Sequence, residues 1–145
     1  MADEVSEAIQ GEGYAVANID ALGDRYGFCK IRQELGVTAF GINAICMPPG
    51  YEGPRHAHEQ QEEIYFVHSG TMRIELGDPA AGTSHVLGPG GIARVDAATT
   101  RRIVNASSDE DLIYVSAGGK DGYVGRDGIR KGDGGTSGSG APQGS

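Results

Sequence analysis

GYEGPRHAHEQQEEIYFVHSG, residues 50–70, is the most informative part of the sequence, because it sets two histidines one residue apart and an acid shortly after them. Side chains on a β-strand alternate between its two faces, so His56 and His58 point to the same side. Glu63 follows a short loop and opens the next strand. If that strand pairs with the first, its carboxylate can face both imidazoles. The pattern predicts a pocket lined by these three side chains.

Two imidazoles and one carboxylate that converge on one point form a metal-binding arrangement with open coordination positions. The set His56, His58 and Glu63 suits Fe, Mn, Ni or Zn, and the open positions permit binding of a substrate or O₂. A lone histidine is common on surfaces and in cores. Two of them at positions i and i+2 of a strand, followed by an acid and flanked by turn glycines, favour a pocket. Whether a metal binds there is a separate question.

Short strands separated by turns are predicted on both sides of this segment. Gly- and Pro-rich stretches supply the backbone angles that turns need and interrupt any helix. This pattern predicts an all-β sandwich or barrel, with fewer than about a tenth of the residues in helices, against roughly one third in an average globular protein. The candidate strands are 14–18, 26–34, 39–47, 52–58, 63–69, 72–76, 83–87, 91–95, 101–105 and 112–116.

Composition divides the chain into three zones. Residues 1–13 are acidic and are predicted to form a flexible N-terminal segment, and residues 14–118 hold most of the aromatic and β-branched residues of the expected barrel. Residues 119–145 are Gly-rich and are predicted to form a flexible tail, because they offer little to bury. Tyr123, Val124 and Ile129 are the tail residues that could dock on the barrel.

The net charge of −8 argues against a nucleic-acid partner or an anionic membrane, since either would require a basic face. No apolar run approaches the ~20 residues of a membrane span, and the acidic N-terminus lacks the features of a secretory signal. A cytoplasmic location is therefore expected. Cys29 and Cys46 could sit on the two arms of one hairpin, but in a non-secreted chain free thiols are more common than a disulfide.

Residues 50–70 resemble the first sequence motif of the cupin superfamily, G-x5-H-x-H-x(3,4)-E-x6-G. Gly50, His56, His58, Glu63 and Gly70 fit this motif at every spacing. The acid one position before Glu63 also satisfies the shorter of the two permitted gaps. Only Glu63 leaves six residues before Gly70, which favours it as the ligand.

LGPGGIARVDAATTRRIVNAS, residues 87–107, resembles the second cupin motif, G-x5-P-x-G-x2-H-x3-N, in an eroded form. Pro89 and Gly91 keep the P-x-G step, and Asn105 fits the final position. Arg101 then stands where typical cupins carry the histidine that completes a site of three His and one Glu. Arginine stays protonated and does not ligate metals. The resemblance covers roughly residues 37–116 and implies a small single-domain double-stranded β-helix, or jelly-roll barrel.

The resemblance leaves two interpretations of the pocket open. In the first, His56, His58 and Glu63 hold a divalent metal (Fe, Mn, Ni or Zn), and Arg101 binds an anionic group of a small ligand. In the second, Arg101 replaces the metal as the cation of a metal-free pocket and pairs with Glu63. Tyr65 shares the strand parity of Glu63, so it should line the barrel and could offer its hydroxyl to a ligand.

Cupins include dioxygenases, decarboxylases, isomerases and non-catalytic binding or storage proteins, so the implied fold does not give the function. The resemblance implies a metal-dependent enzyme acting on a small polar or anionic molecule, or a small-molecule-binding protein without catalysis. A purely structural module fits a short chain with this motif pair less well. The resemblance also implies a homodimer, because small cupins commonly pair through their sheets.

Overall fold

The computed structural model describes residues 4–22 and 25–132, and strands hold 46% of these residues against 6% for helices. The few helical residues form a 3₁₀ turn at Ile19–Ala21 and the short helix α1 at Ile31–Leu35. These proportions confirm the all-β prediction. The strands are β1 Ile9–Gly11, β2 Tyr14–Val16, β3 Gly27–Cys29, β4 Gly41–Met47, β5 His56–His58, β6 Glu62–Ser69, β7 Met72–Leu76, β8 Thr83–Leu87, β9 Ile92–Val95, β10 Arg101–Asn105, β11 Leu112–Gly119 and β12 Gly128–Arg130.

Two five-stranded antiparallel sheets form the barrel. The β5 sheet has the order β12-β5-β10-β7-β8, and the β6 sheet has the order β3-β4-β11-β6-β9. Both sheets contribute to one hydrophobic core, so their inner faces pack against each other. The core residues are Ile45, Met47, Tyr65, Val67, Met72, Ile74, Val95, Ile103, Leu112 and Tyr114. This architecture is the double-stranded β-helix that the sequence predicts.

Strand β6 shows how period-two alternation builds the interior. Glu63, Tyr65 and Val67 are buried, whereas Ile64 and Phe66 between them are exposed. The strand lies between β11 and β9, which fix its register on both sides. Alternate side chains of β6 therefore line the barrel, and the parity argument for Tyr65 agrees with its position inside.

Two glycines at turns bracket the segment that carries the predicted ligands. Gly70 follows β6 with a φ of 87°, in the left-handed region that favours glycine. A Cβ at this position would come within 2.3 Å of the carbonyl oxygen of Asp111, so a side chain has no room there. Gly50 also has a left-handed φ, of 72°. Backbone geometry at these turns therefore explains the two glycines that bracket the segment.

The prediction of one strand over residues 26–34 is wrong in its second half, where α1 follows β3. The helix ends at Gly36, whose φ of 72° is left-handed and whose backbone N–H donates to the carbonyl of Arg32. Ile31 packs with Ala44 in a small second cluster, separate from the main core. A five-residue helix is too short to show a helical period in the sequence, which is why the pattern missed it.

Each chain end carries one strand that composition did not predict, β1 at the N-terminal end and β12 at the C-terminal end. Strands β1 and β2 form a hairpin with Ile9 opposite Val16, so part of the segment 1–13 is paired. Strand β12 pairs antiparallel with β5, with Ile129 opposite Ala57, so the β5 sheet extends into the segment predicted as a tail. Its three residues are all exposed, and backbone pairing with no buried side chain leaves no signal in composition. Residues 1–3 and 133–145 of the predicted flexible ends lie outside the described residues.

Two further expectations concern the cysteines and the membrane. Cys29 on β3 and Cys46 on the neighbouring strand β4 are both free thiols. Among the described residues, no helix has the length and the apolar character needed to cross a membrane.

Candidate metal centre

The three predicted metal ligands meet inside the barrel, but they come from different sheets. His56 and His58 lie on β5, and Glu63 lies on β6. These two strands do not pair, because residues 59–61 carry the chain from one sheet to the other. Strand pairing, the condition considered from the sequence, is therefore not what brings the three side chains together, and Glu63 faces the histidines across the barrel interior. All three side chains are buried.

The geometry of these side chains fits a divalent metal ion. One ligand atom each of His56, His58 and Glu63 lies within 4.8 Å of the others. A metal ion binds nitrogen and carboxylate oxygen at about 2.0–2.2 Å, which places two of its ligand atoms at most about 4.4 Å apart. The 3.0 Å separation of His58 Nε2 from Glu63 Oε1 lies within that limit. Two imidazoles and a carboxylate suit the metals predicted from the sequence, Fe, Mn, Ni or Zn.

His56 is held in the state that a metal ligand requires. Its Nδ1 lies 3.2 Å from the carbonyl oxygen of Pro54, which can only accept a hydrogen bond, so Nδ1 carries the proton. Burial lowers the pKa of His56 to about 4, and the opposing effects of the Pro54 carbonyl and Glu63 are smaller. The imidazole is therefore neutral near pH 7, and Nε2 keeps its lone pair.

His58 lies between two carboxylates. Its Nδ1 is 2.8 Å from Oδ1 of Asp127, and its Nε2 is 3.0 Å from Oε1 of Glu63. Burial alone would lower the pKa of His58, but the two carboxylates together outweigh burial and raise it. With Nδ1 directed at Asp127, Nε2 is the nitrogen that stands beside the Glu63 carboxylate.

Glu63 is fixed by two hydroxyl groups as well as by His58. The hydroxyl of Tyr65 donates to Oε1 at 2.5 Å, and the hydroxyl of Ser116 donates to Oε2 at 3.3 Å. Burial raises the pKa of Glu63, but His58, Tyr65 and the charge of Arg101 outweigh burial and lower it, which favours the carboxylate. Burial and the Glu63 charge raise the pKa of Tyr65 well above its usual value, so its hydroxyl remains a donor. Tyr65 thus orients Glu63.

Arg101 is fully buried, at 0% exposure, and lies opposite His56 in the register of β10 and β5. Its Nη2 donates to the carbonyl oxygen of Asp96 at 2.9 Å and approaches that of Val95 at 3.4 Å. Within residues 4–22 and 25–132, Arg101 forms no ion pair with Glu63, so the pairing expected for a metal-free pocket is not found. The guanidinium instead donates to backbone carbonyl oxygens.

The remaining donors of Arg101 lack acceptors. Nε and Nη1 are buried and form no hydrogen bond with any other described part of the chain. Burying a charged donor without an acceptor is unfavourable, and such groups in native proteins call for an explanation. Oxygen atoms of an anion would supply the missing acceptors through charge-assisted hydrogen bonds. The chemistry of Arg101 therefore suits contact with an anionic group.

Asp127, like Ser116, is a residue of this centre that sequence reasoning missed. It accepts from His58, from the backbone N–H groups of Gln60 and Gln61 and from the Gln61 side chain. Burial raises its pKa, but these donors outweigh burial and lower it. Asp127 stands in a Gly-Arg-Asp-Gly stretch of the predicted tail, and nothing in its local spacing distinguishes it from a turn residue.

Comparison with known proteins identifies the fold. The model of the cupin domain family matches residues 43–118. A protein of unknown function with a double-stranded β-helix domain from Klebsiella pneumoniae superposes with a TM-score of 0.62 at 15% identity, over 81% of this chain and 97% of that one. A cupin-superfamily sugar phosphate isomerase from Silicibacter pomeroyi superposes with a TM-score of 0.58 at 22% identity, over 71% and 74%.

Larger structures match as well. Oxalate oxidase superposes with a TM-score of 0.52 at 16% identity over 58% of this chain, and the matched region spans only 43% of the oxidase. Among curated proteins, no sequence matches this chain significantly. Identities this low establish the shared fold and leave the activity to be argued from the centre itself.

Proposed function

This chain belongs to the cupin family, and we propose that its barrel binds a divalent metal ion through His56, His58 and Glu63, together with a small polar or anionic ligand at Arg101. Proteins of similar fold include oxalate oxidase and a cupin-superfamily sugar phosphate isomerase. A metal-dependent enzyme of the dioxygenase, isomerase or decarboxylase type would use the open coordination positions of such a centre.

The observation that carries this proposal is the matching outer contact of the two histidines. Both engage Nδ1 with an oxygen acceptor, the Pro54 carbonyl for His56 and the Asp127 carboxylate for His58. In metalloproteins, this outer contact fixes the ring tautomer and leaves Nε2 for the metal. The buried Glu63 carboxylate beside His58 Nε2 completes the donor set.

Each side chain has a distinct role in the proposed chemistry. A bound divalent metal would act as a Lewis acid on a coordinated oxygen. Arg101 binds the anionic end of the ligand through its unused donors and so orients it. Tyr65 and Ser116 hold the Glu63 carboxylate in place, and the buried surroundings strengthen each of these polar contacts.

Metal content tests the proposal. Protein purified without a metal-affinity tag should contain close to one equivalent of a divalent metal by elemental analysis, and the Glu63→Gln and His56→Ala variants should lose it. The His68→Ala variant removes an exposed histidine from the same strand as Glu63 and should keep the metal. A native protein free of metal that also fails to bind added Zn²⁺ would refute the proposal.

The second candidate function is metal-free binding of a small anionic molecule, favoured by the buried Arg101 with its unused donors. The Arg101→His variant separates the two candidates. If the native protein binds metal, the added imidazole and the lost positive charge should tighten that binding. If the native protein is metal-free, the same substitution should create metal binding where the native protein has none.

We propose further that the protein is a homodimer. Ile64 and Phe66 on β6 and Ile92 on β9 are large apolar side chains exposed on the outer face of the β6 sheet. Phe66 and Ile92 are direct cross-strand neighbours, so they form a continuous apolar surface that a second copy would cover. Light scattering at micromolar concentration should give a dimer mass, and Phe66→Glu should give a monomer. A monomeric native protein would refute this.

A further inference from the structure

We propose that Asp127 is a positioning residue for the metal centre, which fixes the Nδ1–H tautomer of His58 and directs Nε2 to the metal. This inference rests on the proposed function of His56, His58 and Glu63. Asp127 lies nine residues beyond the end of the family match at residue 118, so the match assigns it no role.

The contact between Asp127 and His58 determines which nitrogen is free. Oδ1 of Asp127 lies 2.8 Å from Nδ1 of His58, and the two side chains are 8% and 1% exposed. An ionised carboxylate can only accept a hydrogen bond, so Nδ1 of His58 must carry the proton. Nε2 lies 3.0 Å from Glu63 but forms no hydrogen bond with the described residues, so it is the ring nitrogen that remains to exchange any proton for a metal.

Asp127 is itself held by several donors, so its carboxylate is well oriented. Oδ2 accepts from the backbone N–H groups of Gln60 at 2.7 Å and Gln61 at 3.0 Å, and Oδ1 accepts from Nε2 of Gln61 at 2.6 Å. The backbone carbonyl of Asp127 accepts from the N–H of Glu59 at 3.1 Å. A carboxylate fixed in this way holds the imidazole at a defined angle.

The same contacts connect the two halves of the ligand set. Residues 59–61 carry the chain from His58 on the β5 sheet to Glu63 on the β6 sheet, and Asp127 binds the backbone of all three. Pairing of Gly128 with His58 places Asp127 beside this crossing. Asp127 therefore positions His58 both directly and relative to Glu63, and the C-terminal strand β12 is what brings it there.

Zn²⁺ binding to the Asp127→Asn variant tests the inference. Asparagine offers one acceptor oxygen where the carboxylate offers two, so it cannot serve His58 and the 59–61 backbone equally. Its amide N–H₂ directed at His58 would favour the tautomer with the proton on Nε2, which blocks ligation. We expect Zn²⁺ affinity to fall about 10–100-fold, as for other outer contacts to metal-bound histidines. Asp121→Asn, in the same segment and exposed, should bind Zn²⁺ as the native protein does.

Nitrogen NMR of ¹⁵N-histidine-labelled, Zn²⁺-loaded protein adds a readout that a merely structural role would not move. In the native protein, Nδ1 of His58 should carry a hydrogen-bonded proton and Nε2 should be metal-bound. In Asp127→Asn, the Nε2–zinc signature of His58 should weaken or disappear. If Asp127→Asn does not fold, the native spectrum decides, because ligation through Nδ1 would overturn the inference.

The remaining outcomes are also decisive. Native affinity in Asp127→Asn, or weaker affinity with unchanged Nε2 ligation, would overturn the positioning role while the metal site stands. A native protein that binds no Zn²⁺ at His56, His58 and Glu63 would remove the proposed function and this inference with it. The inference is supported only if Asp127→Asn both loses Zn²⁺ affinity and changes the tautomer of His58.

Discussion

The two ends of the barrel interior are built from the same strands but have opposite chemistry. At one end, Val67, Met72 and Leu112 are fully buried apolar side chains of the core. At the other end, Glu63 and Arg101 are just as deeply buried, and they belong to the candidate metal centre. The barrel thus holds a hydrophobic core and a polar site within one continuous interior.

Individual strands run from the polar end of the barrel interior to its apolar end. The inward positions of β6 change from Glu63 through Tyr65 to Val67, and those of β10 change from Arg101 to Ile103. Strand alternation therefore selects which side chains face inward, whereas the position along the strand selects core or site. Because burying polar and charged groups costs free energy, the apolar end must supply most of the stability that offsets it.

The largest expected effect is on the apolar end. Leu112→Ala removes a 0% exposed core side chain and leaves a cavity, so the free energy of unfolding should fall by about 2–5 kcal/mol. Because Leu112 lies at the end of β11 that is far from the metal ligands, Zn²⁺ affinity measured on the folded variant should stay within about twofold of native. Urea denaturation and Zn²⁺ titration check the two halves of this prediction. Loss of zinc binding in the folded variant would show that the two ends are not separable.

The polar end should make the free energy of unfolding depend on pH. The native pKa of His56 is lowered to about 4, below the value of about 6.5 for an unfolded chain, so between these values the unfolded state binds more protons. The contribution of neutral His56 to the free energy of unfolding is present above pH 6.5 and is lost as the pH falls towards 4. This loss amounts to up to about 3 kcal/mol. Urea denaturation of metal-free protein should show this loss, and His56→Gln should lack it.

His58 would move stability in the opposite sense, because its raised pKa gives a contribution that is lost as the pH rises through the folded-state value. The difference between native protein and His56→Gln isolates the effect of His56 from that of His58. A difference that does not change between pH 7 and pH 4.5 would contradict a buried, neutral His56.

A smaller effect is expected at Arg101, in spite of its complete burial. Arg101 has no ion pair with Glu63 among the residues described, so replacing it does not leave a broken pair behind. An apolar residue of similar volume removes the cost of burying charged donors that lack acceptors, which offsets the loss of the backbone contacts. We expect Arg101→Met to change the free energy of unfolding by less than about 2 kcal/mol. A loss of about 3–5 kcal/mol would instead indicate a broken buried ion pair.

The smallest effect is expected from the C-terminal residues of the chain, outside the barrel interior. Truncation after Gly132 removes a Gly- and Ser-rich segment that offers little to bury, so the melting temperature should change by no more than about 2 °C. Truncation after Gly125 also removes Asp127 and β12, and it should lower both the melting temperature and the Zn²⁺ affinity. A large shift from the shorter truncation would show that residues 133–145 pack on the barrel.

The sequence predicted the parts of the centre that local spacing encodes. The i, i+2 spacing of His56 and His58 fixes their shared face whatever strand they pair with, and the inward parity of Tyr65 follows from Glu63 in the same way. The barrel class followed from turn residues and the scarcity of helical periods. The place of Arg101 in the pocket was implied by the resemblance to the second cupin motif, in which the site residue stands four positions before Asn105.

The features that the sequence did not reveal are set by contacts between distant segments. Glu63 meets the histidines from the opposite sheet, which no spacing along the chain can show. Strand β12 pairs through backbone hydrogen bonds, which do not depend on side-chain identity. Asp127 acquires its role only from that pairing. Composition marked this part of the chain as a tail because it counts side chains available for burial.

Strand β12 is also one edge of the β5 sheet within residues 4–22 and 25–132. Without it, β5 would be an open edge whose unpaired N–H and C=O groups could template pairing with another chain, at the very strand that carries both histidines. β12 is only three residues long, and Arg130 ends it with Lys131 directly after. Short length and positive charge are the means by which natural sheets discourage edge-to-edge aggregation. The C-terminal strand thus moves the vulnerable edge of the sheet from a site-bearing strand to one that is poorly suited to recruit a further strand.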